Sequence, residues 1–218
     1  MDGMASHTVS HTLTVGFDLD MTLIDSRPGI KAAYVALSAE TGVPIDADLV
    51  VSRLGPPVED ELANWFPADR VAATADQYRE AYPRHAIAPT TALAGARAAI
   101  EAVQALGGRA IVVTAKHQPN AELHLTHLGL TPDLVIGNLW AEGKGEALLA
   151  EGAQVYVGDH IGDVRGAKVA GAVSVGVTTG PCDADELRAA GANVVLADLT
   201  AFPDWLQGYE AGRTALTG

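Results

Sequence analysis

The sequence predicts an α/β protein: a parallel sheet covered on both faces by helices, with a block of helices inserted after the first strand. Short apolar and β-branched runs recur at residues 13–17, 110–113, 134–136, 155–157, 173–177 and 194–196. Ala-rich amphipathic segments lie between most of them, at 94–106, 119–128, 144–150, 163–170 and 183–189. Strand and helix therefore alternate, the pattern of a parallel sheet buried on both sides.

The stretch 26–89 breaks that alternation, because it offers no convincing strand and reads as four helices at 28–40, 46–53, 57–65 and 68–82. Gly42-Val43-Pro44, Gly55-Pro56-Pro57 and Phe66-Pro67 punctuate them. The expected organisation is a leader at 1–12, a core built from 13–25 and 90–218, and a helical insert at 26–89. Open parallel sheets bind ligands at the carboxyl ends of their strands, the edge from which this insert emerges.

With 218 residues the chain can bury one sizeable core plus an insert. Hydrophobic residues at 48% and charged residues at 19% describe a globular protein, and the longest apolar runs are far too short to span a bilayer. The formal charge of -13, without a basic cluster, argues against a nucleic-acid or acidic-membrane surface. An anionic small molecule then needs a local cation or a metal to approach. No secretory signal is evident at the start, and the lone Cys182 forms no internal disulfide, so a cytoplasmic location is expected. Whether the chain is a monomer or a homodimer is left open.

Chemistry enters at Val15-Gly16-Phe17-Asp18-Leu19-Asp20-Met21-Thr22-Leu23, an apolar strand that ends in two aspartates one residue apart. Such a pair at a sheet edge suits attack by one carboxylate and proton transfer by the other. Taken alone, the pair also fits a turn or a helix cap. Later strands end in matching groups. Thr114 follows the run at 110–113 and brings the amides of Ala115 and Lys116, which suit an anionic oxygen. Gly158-Asp159-His160-Ile161-Gly162-Asp163 follows the run at 155–157, and Lys144 lies between two glycines. Oxygen ligands from Asp18, Asp159 and a backbone carbonyl suit a hard cation such as Mg²⁺, which would let a phosphate approach Asp18.

These motifs, Phe17-Asp18-Leu19-Asp20-Met21-Thr22, Val113-Thr114, Lys144 and Gly158-Asp159 with Asp163, resemble those of the haloacid dehalogenase-like phosphatase superfamily. The subgroup with a helical cap, which includes the phosphoglycolate phosphatases, is the nearest match in organisation. The resemblance implies a Rossmann-like core and a Mg²⁺-dependent phosphatase acting on a small phosphorylated metabolite. It implies that Asp18 takes the phosphoryl group and that Asp20 serves as acid and then base. Thr114, Lys144 and the amides of Leu19 and Ala115 would bind phosphate. Asp18, the Asp20 carbonyl, Asp159 and Asp163 would serve the metal. A phosphomutase shares these acids, and a phospho-accepting regulatory domain also uses a strand-end aspartate. A dehalogenase is disfavoured by Asp20, since halide departure needs no proton.

Two positions depart from the family pattern. Met21 stands where many relatives have glycine, and Gly143-Lys144-Gly145-Glu146 lacks the frequent Lys-Pro-x-Pro form, which leaves Lys116 as a competitor for the phosphate-binding role. In the insert, Arg53 beside Gly55-Pro56-Pro57 reads either as a helix terminus or as a substrate clamp facing the core. The spacing around Gly137 and Gly143-Lys144-Gly145 fails the nucleotide P-loop pattern. His124 and His127 lack a third ligand and are expected to be exposed or partly packed, and His160 is expected to be held by its loop with its ring toward solvent. His7 and His11 fall in the expected leader.

Overall fold

A computed structural model of the chain describes residues 13–217; the expected leader, with His7 and His11, lies outside the described residues. The first strand, β1 (Thr14–Phe17), is buried along its whole length. An unbroken apolar run is what a strand packed on both faces requires. After it come a short β2 (Ile24–Asp25) and the helical insert: α1 (Arg27–Thr41), α2 (Ala47–Val51), α3 (Val58–Leu62) and α4 (Ala68–Ala86). The chain returns through β3 (Thr91–Ala92), which pairs antiparallel with β2. The two crossings between core and insert are thus tied to each other by backbone hydrogen bonding.

The core continues with α5 (Ala96–Ala105), β4 (Arg109–Val113), α6 (Gln118–Leu128), β5 (Leu134–Ile136), α7 (Glu142–Ala150) and β6 (Val155–Gly158). It ends with α8 (Ile161–Ala170), β7 (Val173–Val177), α9 (Ala184–Ala190), β8 (Val194–Leu196) and α10 (Phe202–Thr217). The six-stranded sheet runs β5-β4-β1-β6-β7-β8, and every pairing in it is parallel. From β1 the chain first builds outward through β4 and β5, then crosses to β6 on the other side. That reversal puts the topological switch point at the carboxyl end of β1, where Asp18 follows.

One sheet face packs Val15 and Phe17 against Ile100, Val103, Phe202 and Leu206; the other packs Ile111 and Val113 against Leu148, Tyr156 and Ala167. Gly16 makes the second face possible, since a Cβ there would lie 2.5 Å from Leu148 Cδ2. The insert has its own core, in which α1 packs on α4 through Ile30, Tyr34, Leu37, Tyr78 and Tyr82.

The expected strands and core helices are present with ends shifted by a few residues. Three features differ from expectation. The helix expected to stop at 82 continues through Pro83 to Ala86, because Tyr82 and Ala86 are both buried and their packing outweighs the hydrogen bond proline cannot donate. The β2–β3 ribbon is too short to leave a periodic signal. Helix α10 is additional to the expected elements; its Phe202 ring meets Phe17 edge-on at 5.3 Å. No described helix is long and apolar enough to cross a membrane.

Candidate active site

Asp18 extends the β1 ladder, its amide donating to Val157 O at 2.8 Å. The chain then folds back: the amides of Leu23 and Ile24 both donate to Leu19 O, at 2.9 and 3.1 Å. Met21 takes φ 60° within this turn, the left-handed region where glycine is at ease, and Thr179 Oγ1 donates to its carbonyl at 2.5 Å. The turn leaves Asp18 buried and Asp20 partly exposed to the space above the sheet.

Carboxylate oxygens of Asp18, Asp159 and Asp163 lie within 4.8 Å of one another, and all three residues are buried. Lys144 Nζ, fully buried, is 2.7 Å from Asp163 Oδ1 and 3.0 Å from Asp18 Oδ2. Burial, partly offset by Lys144, raises the Asp18 carboxyl to about 6. Burial together with the charges of Asp163 and Asp18 pushes Asp159 well above the ordinary carboxylate range. Lys144 itself is raised, since its two carboxylate partners outweigh the cost of burial. Three buried acids against one ammonium leave an excess of negative charge.

An all-oxygen donor set with that excess fits a hard divalent cation such as Mg²⁺. Asp159 Oδ1 accepts from Thr22 Oγ1 at 2.8 Å, which fixes the carboxylate's orientation. Asp163 has both oxygens engaged: Oδ1 accepts from Lys144 and Oδ2 from the His160 amide at 3.1 Å, which closes a capping box at the start of α8. Asp163 accepts a further contact from Tyr156 Oη at 3.3 Å, Asp18 has one partner at each oxygen, the Leu19 amide and Lys144, and Asp159 has Thr22, so Asp159 keeps the most lone pairs for a cation and Asp163 the fewest.

At the end of β4, Thr114 is buried and its hydroxyl accepts from the Lys116 amide at 3.3 Å. The two candidate lysines have separate partners. Lys144 reaches Asp18, whereas Lys116 Nζ lies 2.8 Å from Asp20 Oδ1 and over the Tyr82 ring at 4.8 Å. Burial pushes the Asp20 carboxyl up, but the charge and hydrogen bonds of Lys116 outweigh it and hold the group below its ordinary value. The Leu19 amide donates to Asp18 Oδ1 at 2.8 Å, and Ala115 lines the space in front of Asp18.

That space is a cavity of about 100 Å³ between the insert and the core. Asp18, Asp20, Thr114, Ala115 and Asp159 form its floor; Ile30, Tyr34, Val50, Leu54, Val58 and Tyr78 form much of its roof. Arg53 lines it with its guanidinium held by both oxygens of Glu61, at 2.7 and 2.8 Å. Gly55, at φ 137°, lets this loop close on the core, for a Cβ there would come within 2.9 Å of the His160 ring. His160 is thereby flanked by the Gly55 loop and by Trp140, 5.1 Å away between ring centroids, stays partly exposed, and its Nδ1 accepts from the Gly162 amide. The ring expected to face solvent is thus packed on one side by protein and held by its loop, as expected, through the Gly162 amide.

His124 is likewise not exposed: it is fully buried, and its Nε2 lies 3.0 Å from the Tyr82 hydroxyl, joining α6 to α4. Burial and the nearby Lys116 charge lower it to about 3, so it is neutral. His127 is exposed, as its place on the helix predicts. Thr22, Arg79, Tyr82, His117, Asn120 and Tyr156 also surround the site without having been singled out in the sequence. Thr22 was within reach, two residues beyond Asp20 in the same motif; the others carry no local signal.

The profile of the family described as haloacid dehalogenase-like hydrolase matches residues 15–177. A protein named phosphoglycolate phosphatase from Neisseria meningitidis is 30% identical over 222 residues, covering 92% of this chain and 91% of its own length. A protein named tyrosine-protein kinase PtkA from Mycobacterium tuberculosis is 29% identical over 193 residues, covering 82% of this chain and 66% of its own. A haloacid dehalogenase-like family hydrolase from Streptococcus pneumoniae has the same fold, with a TM-score of 0.76 at 23% identity over 91% of this chain and 98% of that one. With the profile spanning most of the core and the insert, the chain belongs to the haloacid dehalogenase-like hydrolase family.

Proposed function

We propose that this hydrolase is a Mg²⁺-dependent phosphatase that cleaves a small phosphomonoester through an aspartyl-phosphate on Asp18. The observation that carries the reading is the Asp18 carboxylate itself, set at the switch point beside Lys144 and facing the cavity shared with Asp20. Asp18 attacks phosphorus, and the ester oxygen departs with a proton from Asp20. Asp20 then takes a proton from water as its oxygen attacks the phosphoryl group, which frees phosphate and restores Asp18. Lys144 and Thr114 supply a cation and a hydroxyl to the phosphoryl oxygens. Asp18 and Asp159 with the Asp20 carbonyl would hold Mg²⁺, which would supply the remaining charge neutralisation. The insert covers the reacting atoms and excludes bulk water.

Similarity to proteins named phosphoglycolate phosphatase supports a small anionic ester as substrate, with 2-phosphoglycolate first to be tried. The test is release of inorganic phosphate from p-nitrophenyl phosphate with Mg²⁺, followed by a panel of phosphorylated sugars, glycolate, nucleotides and pyrophosphate. Steady turnover that falls about a thousandfold or more in Asp18→Asn supports the reading. Stoichiometric phosphorylation without release would overturn it in favour of a phospho-accepting domain, and return of the phosphoryl group to a sugar would identify a mutase.

A further inference from the structure

Charged side chains around the cavity are nearly all matched within the protein. Arg53 is held by Glu61, Lys116 by Asp20, and Lys144 by Asp18 and Asp163. Arg79, on α4, is the exception among the described cavity cations. Its Nη2 meets Glu59 at 2.5 Å and its Nη1 only approaches Asp76, at 3.5 Å, while Nε is buried with no hydrogen-bond partner. A guanidinium N–H shut away without an acceptor is costly, and native proteins seldom leave one so.

Across the same cavity, the core supplies a second group in the same condition. His117, immediately before α6, lines the cavity, and its Nδ1 is also buried without a partner. Asn120, buried and one turn further on, completes this corner; its Nδ2 comes only within 3.5 Å of the Arg79 carbonyl. Elsewhere the roof is built of aliphatic and tyrosine side chains and of the Arg53–Glu61 pair, whose charges satisfy each other. A corner with two unsatisfied polar atoms, in a roof whose other charged pair is matched, has the form of an orientation-fixing subsite opposite the floor.

We infer that Arg79 and His117 form a specificity subsite that recognises an oxygen acceptor, a carboxylate or a hydroxyl, on the leaving group of the phosphoester. This rests on the phosphatase reading of the floor. The insert contributes Arg79 and the core contributes His117, so the subsite is complete only when the insert lies over the sheet as it does here. Arg79 Nε donates to the substrate oxygen. His117 Nδ1 takes the donor or acceptor role that the same group leaves unfilled. An ester lacking the oxygen leaves both buried atoms unsatisfied and is discriminated against on that account.

Turnover of 2-phosphoglycolate, 2-hydroxyethyl phosphate and ethyl phosphate by the wild type, Arg79→Lys and His117→Phe tests the assignment. Arg79→Lys keeps a cation for Glu59 and loses the Nε donor; His117→Phe keeps the ring volume. In each variant the kcat/KM ratio of the glycolate or hydroxyethyl ester to ethyl phosphate falls by about tenfold or more, the worth of one buried charge-assisted hydrogen bond. Which of the two ratios collapses identifies the group as carboxylate or hydroxyl. Ratios that stay at the wild-type value in either variant, folded by circular dichroism, overturn the subsite while leaving the phosphatase intact. Absence of turnover on all three esters and on p-nitrophenyl phosphate overturns both.

Discussion

Lys116 Nζ lies 2.8 and 3.0 Å from the two carboxylate oxygens of Asp20, while Lys144, the other lysine of the site, is bound to Asp18 and Asp163. The two acids separated by one residue are thus given different electrostatic surroundings. Asp18 rises to about 6 through burial, whereas Lys116 overcomes burial to hold Asp20 low. A base must start ionised, so the lowered Asp20 carboxyl fits the base duty proposed for it. To act as an acid, Asp20 has to give up Lys116 when the ester oxygen arrives.

Replacing Lys116 by Met removes the cation that lowers Asp20, so the carboxyl moves upward. With p-nitrophenyl phosphate the leaving group needs little help from an acid, and the base step governs the acid side of the rate profile. At saturating Mg²⁺ the acid limb of kcat in Lys116→Met shifts to higher pH than in the wild type. A limb that stays in place would show that Asp20 does not govern the base step.

Mg²⁺ removal tests the acid cluster. Among the described residues, Lys144 is the cation set against Asp18, Asp159 and Asp163, and Asp159 is driven well above its ordinary value by burial and by its two neighbours. A cation that binds only the folded state at a hundred times its Kd adds about 2.7 kcal/mol, or about 5–10 °C in Tm for a chain of this size. Asp159→Asn removes one repelling charge and one ligand together. Its metal-free form therefore melts above the metal-free wild type, and its Tm no longer responds to Mg²⁺. Calorimetry with and without EDTA checks both statements; a variant that still responds to Mg²⁺ would exclude Asp159 as a ligand.

These residues show what a sequence discloses. Strands β1, β4 and β6 are buried on both faces, so each reads as an apolar run, and the polar residue that ends each run, Asp18, Thr114 or Asp159, falls at one sheet edge. Register does the rest, because parallel pairing aligns β1 with β4 and β6. Arg79, Tyr82, His117 and His124 were not legible, since they meet only because α4 of the insert folds over α6. No local period encodes that approach. Helix α10 failed for another reason: Gly208 and Gly212 weaken its helix propensity, although Phe202, Trp205, Leu206 and Tyr209 form a stripe at helical spacing.

Met21 tests the turn that carries both acids. Its φ of 60° favours glycine, yet the side chain is 2% exposed. Met21→Gly relieves about 1 kcal/mol of backbone strain but deletes a buried side chain at a cost of about 2–5 kcal/mol. Packing wins, so the variant is less stable by about 1–4 kcal/mol in urea unfolding. A variant as stable as the wild type would mean that the packing of the methionine side chain is worth no more than the strain it costs, about 1 kcal/mol.

His124 gives the fold a specific sensitivity to acid. It is lowered to about 3 by burial and by Lys116, against an ordinary value of 6.5. Above pH 6.5 the imidazole is neutral in both the folded and the unfolded chain, and its titration leaves stability unchanged. As the pH falls below that value the unfolded chain takes up a proton that the folded one refuses. Stability is then lost at up to about 1.4 kcal/mol per pH unit until the folded value is reached. His124→Gln keeps a polar partner for the Tyr82 hydroxyl and cannot titrate. Carboxylates titrate alike in both proteins, so the difference between their urea unfolding free energies isolates the imidazole. That difference shrinks from pH 6.5 down to 4 if the wild type begins as the more stable, and parallel pH profiles would show that His124 is charged in the folded protein.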